Sequence, residues 1–171
     1  MQEKIDEKLR KCFDEGKKGS ERHKGLVKVS IDIEKSEAYL AKALHNFNAI
    51  TDFHNLGYSD WSASASFYSL YVGLLAILAK RGYESRNQSC TFALLEDLIN
   101  KGEIKTLTSN DIREIFDKDI TTDLAHSAKI LDIREKMQYS TRTSLEELEF
   151  QSLKDKTKEL LDKIRLEFER E

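Results

Sequence analysis

Residues 59–91, SDWSASASFYSLYVGLLAILAKRGYESRNQSCT, decide the fold. Between Trp61 and Lys80 there is no proline and a single glycine, Gly73, and the apolar residues fall on more than one helical face. Trp61, Ala65, Tyr68, Val72, Leu75 and Ala79 form one stripe at four- and three-residue steps, and Ala63, Phe67, Leu70, Leu74 and Ile77 form a second. A helix that is apolar on nearly every side is a buried helix. A membrane span needs about 20 mostly apolar residues. Here Ser62, Ser64, Ser66 and Ser69 interrupt the run, and Lys80 with Arg81 closes it. The stretch predicts the central helix of a soluble bundle, with no membrane role. Ser59 and Asp60 supply N-cap chemistry, and Gly82 stands where a C-terminal cap belongs.

One narrow face of this helix is built from small residues: Ser62, Ser66, Ser69, Gly73 and Ala76. Small side chains on one stripe let a neighbouring backbone approach closely. The neighbour is either a helix of the same chain or a helix of a second copy.

Outside this stretch the composition points the same way. The chain has 171 residues, 39% apolar and 35% charged, and no proline. That length fits one domain with a sizeable core, and the lack of proline favours long helices over sandwiches or barrels. The formal net charge of −3 gives the whole molecule no attraction for nucleic acid. Cys12 and Cys90 lack metal-ligand spacing, so they are expected to be reduced, structural thiols. The charged start MQEKIDEKLRK carries no signal peptide, and a cytoplasmic location is expected.

In chain order, residues 1–29 read as a short N-terminal helix, at 3–13, followed by a flexible basic connection punctuated by Gly16, Gly19 and Gly25. Residues 30–171 read as one helical bundle. A long helix over 30–54 is joined by the short NLGYSD loop to the central helix, so the two pack antiparallel. Further helices are expected over 91–100, after Ser109 or Asn110, from Thr121 or Thr122 through Met137, and from a Ser144–Glu147 capping box onward. The segment YESRNQSC reads as a polar loop. The fold class is all-α, an up-and-down bundle of four to five main helices.

Familiar catalytic patterns are missing. His23, His45, His54 and His126 form no i, i+4 zinc pair, and Gly-x-Ser-x-Gly and glycine-rich dinucleotide loops are absent. No metal or other cofactor is expected. One polar cluster stands out at a helix end: Arg134 and Gln138, four apart on one face, with Tyr139 beside them. A structural reading makes Arg134 a carbonyl cap and Tyr139 a core closure. A functional reading makes all three the lining of a cleft.

The pattern Asp60-Trp61, Phe67-Tyr68, Tyr71, then Gly82, Ser85, Asn87, Cys90 and Thr91, with Arg134, Gln138, Tyr139 and Ser140 later, resembles the HEPN family of helical proteins in archaea and bacteria. The resemblance spans about residues 30–168. It implies an all-α homodimer, often one component of a toxin–antitoxin or defence pair working with a minimal nucleotidyltransferase. Active members of the family resembled are metal-independent ribonucleases, using an arginine followed four to six residues later by histidine across the dimer. A tyrosine just past that motif can be nucleotidylated by the partner, which puts Tyr139 in view.

The departure from that pattern matters. Positions 138–140 read Gln-Tyr-Ser, and Gln88 stands where relatives often carry histidine. His126 precedes Arg134 by eight residues, about 12 Å along a helix at 1.5 Å per residue. Metal-free RNA hydrolysis needs a proton-transfer group working near neutrality. Arginine stays charged, and tyrosine titrates near about 10. The expected protein is therefore a HEPN-like dimer that binds a nucleotidyltransferase, and RNA or nucleotide, without cleaving. The alternative is a divergent metal-independent ribonuclease toxin in which Arg134 and Tyr139 are catalytic.

Overall fold

The computed structural model describes residues 2–19, 22–116, 134 and 137–170. They form an all-α bundle: α1 (Gln2–Lys18), α2 (Ile33–Asn55), α3 (Ser59–Lys80), α4 (Gln88–Asn100), α5 (Ser109–Ile115) and α6 (Glu147–Glu169). A two-stranded antiparallel ribbon joins β1 (Leu26–Lys28) to β2 (Tyr83–Ser85), pairing Leu26 with Ser85 and Lys28 with Tyr83.

Helix α3 is the centre. It packs mainly on α2 and then on α6. Phe67, Leu70, Leu74, Ile77 and Leu78 are fully buried. By length and composition α3 is the one helix among the described residues that could cross a membrane, yet most of it is covered by the bundle. The first apolar stripe is only partly inside: Trp61 is 56% and Tyr68 53% exposed, whereas Ala65, Val72 and Ala79 are buried. The helix therefore has one aromatic edge open to solvent near its N-terminal half.

The small-residue face packs within the chain. Ser62 donates to the Ile50 carbonyl at 2.7 Å and Ser69 to the Ala43 carbonyl at 2.8 Å, both on α2. The Ser66 and Thr157 hydroxyls meet at 2.6 Å, tying α3 to α6. A Cβ on Gly73 would stand 3.0 Å from Ile164 Cγ2 and 3.6 Å from Ala43 Cβ. Each serine thus satisfies its own hydroxyl in a buried seam while giving up little width.

The ends of the elements differ from the sequence reading where local hydrogen bonding decides. Asp32 caps α2 through its bond from the Lys35 N–H, Asn87 caps α4 through the Cys90 N–H, and Thr108 with Asp111 forms a capping box on α5. On α6 the box is Glu146 with Glu149, in place of Ser144 with Glu147. Ser59 does not cap α3; its hydroxyl accepts the Leu145 N–H at 2.8 Å and draws the start of α6 onto the core. Gly82 ends α3 at φ 76° and Gly102 follows α4 at φ 70°, the left-handed conformation that glycine tolerates best. The helix expected between 121 and 137 lies largely outside the described residues, of which Arg134, Met137 and Gln138 are helical.

The N-terminal part departs furthest. Helix α1 runs through Gly16 to Lys18, and 26–28 is a strand; a loose connection was expected there. Gly16 is buried against the Leu26 carbonyl and Gly25 against the Cys12 carbonyl, with no room for a Cβ at either. The expectation of reduced cysteines is also corrected: Cys12 and Cys90 form a disulfide. Their 78-residue separation hides a Cα–Cα distance of 5.7 Å, within disulfide reach, because α1 lies along α4.

Candidate functional site

The site grows from α3. Phe67 and Tyr71 are one helical turn apart, and their rings stack 5.7 Å apart with planes 6° from parallel. Phe116 meets Tyr71 edge-on at 5.9 Å, and Phe92 of α4 meets Phe116 at 5.6 Å. This chain of rings links α3 to α4 and to the end of α5. Above it sits Arg134, its guanidinium carbon 4.0 Å from the centre of the Phe67 ring. Cation and ring face attract through the ring quadrupole, so the guanidinium has a defined seat.

A hydrogen-bonded corner holds the other end of the stack. The Thr91 hydroxyl donates to Ser85 Oγ at 2.7 Å and lies 3.3 Å from the Tyr71 hydroxyl. Ser85 Oγ in turn donates to the Asn87 carbonyl at 3.2 Å. Burial pushes the Tyr71 phenol above its usual value, with Thr91 pulling the other way. Tyr71 therefore stays a neutral prop. Ser85, Asn87, Cys90 and Thr91, which looked like scattered positions in the sequence, form one structural corner.

The three sequence-predicted site residues part company at the helix end. Arg134 is half-buried on Phe67, and Met137, three residues on, is buried. Gln138 is exposed and Tyr139 is 81% exposed, just past the last helical residue. Tyr139 does not close the core. The loop beyond it is anchored by Arg142, which grips both Glu149 carboxylate oxygens at 3.2 and 2.6 Å and donates to the Ser144 carbonyl at 3.3 Å. That fork ties the segment after Tyr139 to the first turn of α6.

None of the described histidines is seen with Arg134. His45 is exposed. His54 stacks on Phe150 with centroids 3.7 Å apart, its Nε2 3.4 Å from Glu147. His23 is buried, with Nε2 3.1 Å from Glu84 and Nδ1 accepting the Gly25 N–H at 3.4 Å. His126 lies outside the described residues. Among the described residues no cluster of His, Cys, Asp or Glu could hold a metal.

The family model described as HEPN domain matches residues 36–167, well over half of the chain. This chain belongs to the HEPN domain family. Neither the curated proteins nor the solved structures gave a match. The HEPN match begins within α2 and ends within α6, leaving α1 and β1 outside it.

The ring stack beneath Arg134 is the part that sequence reasoning missed. Its signal was present as Phe67 and Tyr71 at i, i+4 on a helix already known to be buried. Phe92 and Phe116 gave no such signal, since one lies in α4 and the other just past α5, and only tertiary packing brings their rings together.

Proposed function

We propose that this HEPN protein is a homodimer that binds RNA or nucleotide at Arg134 without cleaving it. It acts with a minimal nucleotidyltransferase in a toxin–antitoxin or related defence pair. The observation that carries this reading is the seat of Arg134: a permanent cation held 4.0 Å over Phe67, on a helix whose following residues, Gln138, Tyr139 and Ser140, supply no proton-transfer histidine. Such a cation binds phosphate but does not move protons.

Two further features support the partners. Trp61, Tyr68, Tyr58 and Leu56 are exposed at the α2–α3 end of the bundle, apolar surface of the kind a second copy covers. Tyr139 presents its hydroxyl at 81% exposure, open to a modifying enzyme. Nucleotidylation there would place negative phosphate near Arg134, which pairs with phosphate through charge-assisted hydrogen bonds.

Co-expression with a minimal nucleotidyltransferase tests the pairing. Mass spectrometry is expected to find a nucleotide adduct on Tyr139 that is absent from Tyr139→Phe. An accessible Tyr139 that never carries an adduct removes the control role. Light scattering is expected to give a dimer at tens of micromolar, above most specific dissociation constants. Monomer alone there contradicts the dimer.

A further inference from the structure

Helix α1 lies outside the HEPN match and packs on the domain through one side, against α4 and β1. Of its side chains, Leu9 and Cys12 are buried, Ile5 and Phe13 are half-buried, and nearly all the rest face solvent. The ion pairs Lys11–Glu7, Lys17–Asp14 and Lys18–Glu15 run along its own surface. Phe13 reaches Tyr83 with ring centroids 6.4 Å apart. The single covalent tie is Cys12 to Cys90. Below α1, residues 90–98 of α4 are buried without a break, although a helix against one core buries only one side. Thr91 and Phe92 face the ring stack. Helix α1 supplies the cover over the side that carries Cys90.

We propose that the Cys12–Cys90 bond is a redox latch, and that its two-electron reduction by a dithiol releases α1 from α4. The thiolate of the reductant attacks Cys12 Sγ and displaces Cys90 Sγ as the leaving thiolate, which takes up a proton. Cys90 is the better leaving group because it sits in the first turn of α4, where the helix N-terminus favours a thiolate. The second thiol of the reductant then attacks the mixed disulfide and frees Cys12 as a thiol. Overall, one protein disulfide becomes two thiols and the dithiol becomes a disulfide. Cys12 is 2% and Cys90 5% exposed, so attack waits for local opening of α1. Once the bond is gone, α1 is held by Leu9, Ile5, Phe13 and the close backbone packing of Gly16 on Leu26, and a helix of this length is marginal when free.

Amide hydrogen exchange on the full chain tests the latch and needs neither RNA nor a partner. Three samples are compared: oxidised chain, chain reduced with dithiothreitol, and the Cys12→Ser/Cys90→Ser variant. Residues 2–18 are expected to exchange about tenfold faster or more in the last two samples, while α2 and α3 keep their protection. If α1 stays protected after reduction, the bond is only a staple and the latch is wrong. If α2 and α3 lose protection together with α1, the bond holds the whole fold and the latch is equally wrong. Alkylation of both cysteines in the unreduced, folded chain would also overturn it.

Discussion

Arg134 rests on Phe67: the guanidinium carbon lies 4.0 Å from the ring centroid, and the ring itself is only 1% exposed. The contact joins a helix end to the core of the bundle. A double-mutant cycle of Phe67→Leu and Arg134→Met is expected to give a coupling of about 1 kcal/mol in urea unfolding. Strictly additive effects would mean that the ring does not seat the cation.

The α3–α6 seam leaves no width at Gly73. Gly73→Val is expected to destabilise the fold by about 1–3 kcal/mol, because its side chain must displace Ile164 and Ala43. Denaturant midpoints check this. An unchanged midpoint would show that α6 slides freely on α3.

Glu167 is 1% exposed and accepts from the Lys105 and Thr106 N–H groups at 2.9 Å each, from the Thr106 hydroxyl at 3.0 Å and from Arg81 at 2.6 Å. Glu167→Ala takes the acceptor from the Lys105 and Thr106 N–H groups and the ion-pair partner from Arg81, while the Thr106 hydroxyl keeps the Lys163 carbonyl and Arg81 the Glu103 carbonyl. A loss of about 3–5 kcal/mol is expected in equilibrium unfolding. A loss under about 1 kcal/mol would mean that water replaces the carboxylate without difficulty.

Glu84 links the N-terminal segment to the domain and gives the fold a pH signature. The Lys35 ammonium holds its carboxyl down to about 2, against the opposing effect of burial, with His23 and Arg86 helping. The folded value lies below the unfolded one, so the unfolded chain binds more protons between them. This group's stabilisation is full above the unfolded value and is lost as pH falls through it toward about 2. Midpoints measured across acid pH are expected to fall over that window, less steeply in Glu84→Gln. Identical slopes in the two chains would remove Glu84 from the account.

The helical frame was legible because α3 carries its burial in its own pattern, and Phe67 and Leu74 are as enclosed as their stripe demands. The small-residue face was visible but left two partners open; the serine bonds to Ile50 and Ala43 assign it to the chain itself. The Cys12–Cys90 bond and the β1–β2 ribbon were not legible. Both join segments far apart in sequence, and three-residue strands are too short to show alternation. Arg134 was singled out from its helix end, but its seat on Phe67 depends on tertiary packing that no local spacing encodes.

The central claim is a HEPN site that keeps its arginine and has lost its chemistry. The most direct measurement is incubation of purified protein with mixed RNA in excess chelator, beside Arg134→Ala. Equal, background-level cleavage by the two proteins, with weaker RNA retention by Arg134→Ala, is the expected result. Cleavage by the unaltered chain that disappears in Arg134→Ala would contradict the claim and make the protein a metal-independent ribonuclease.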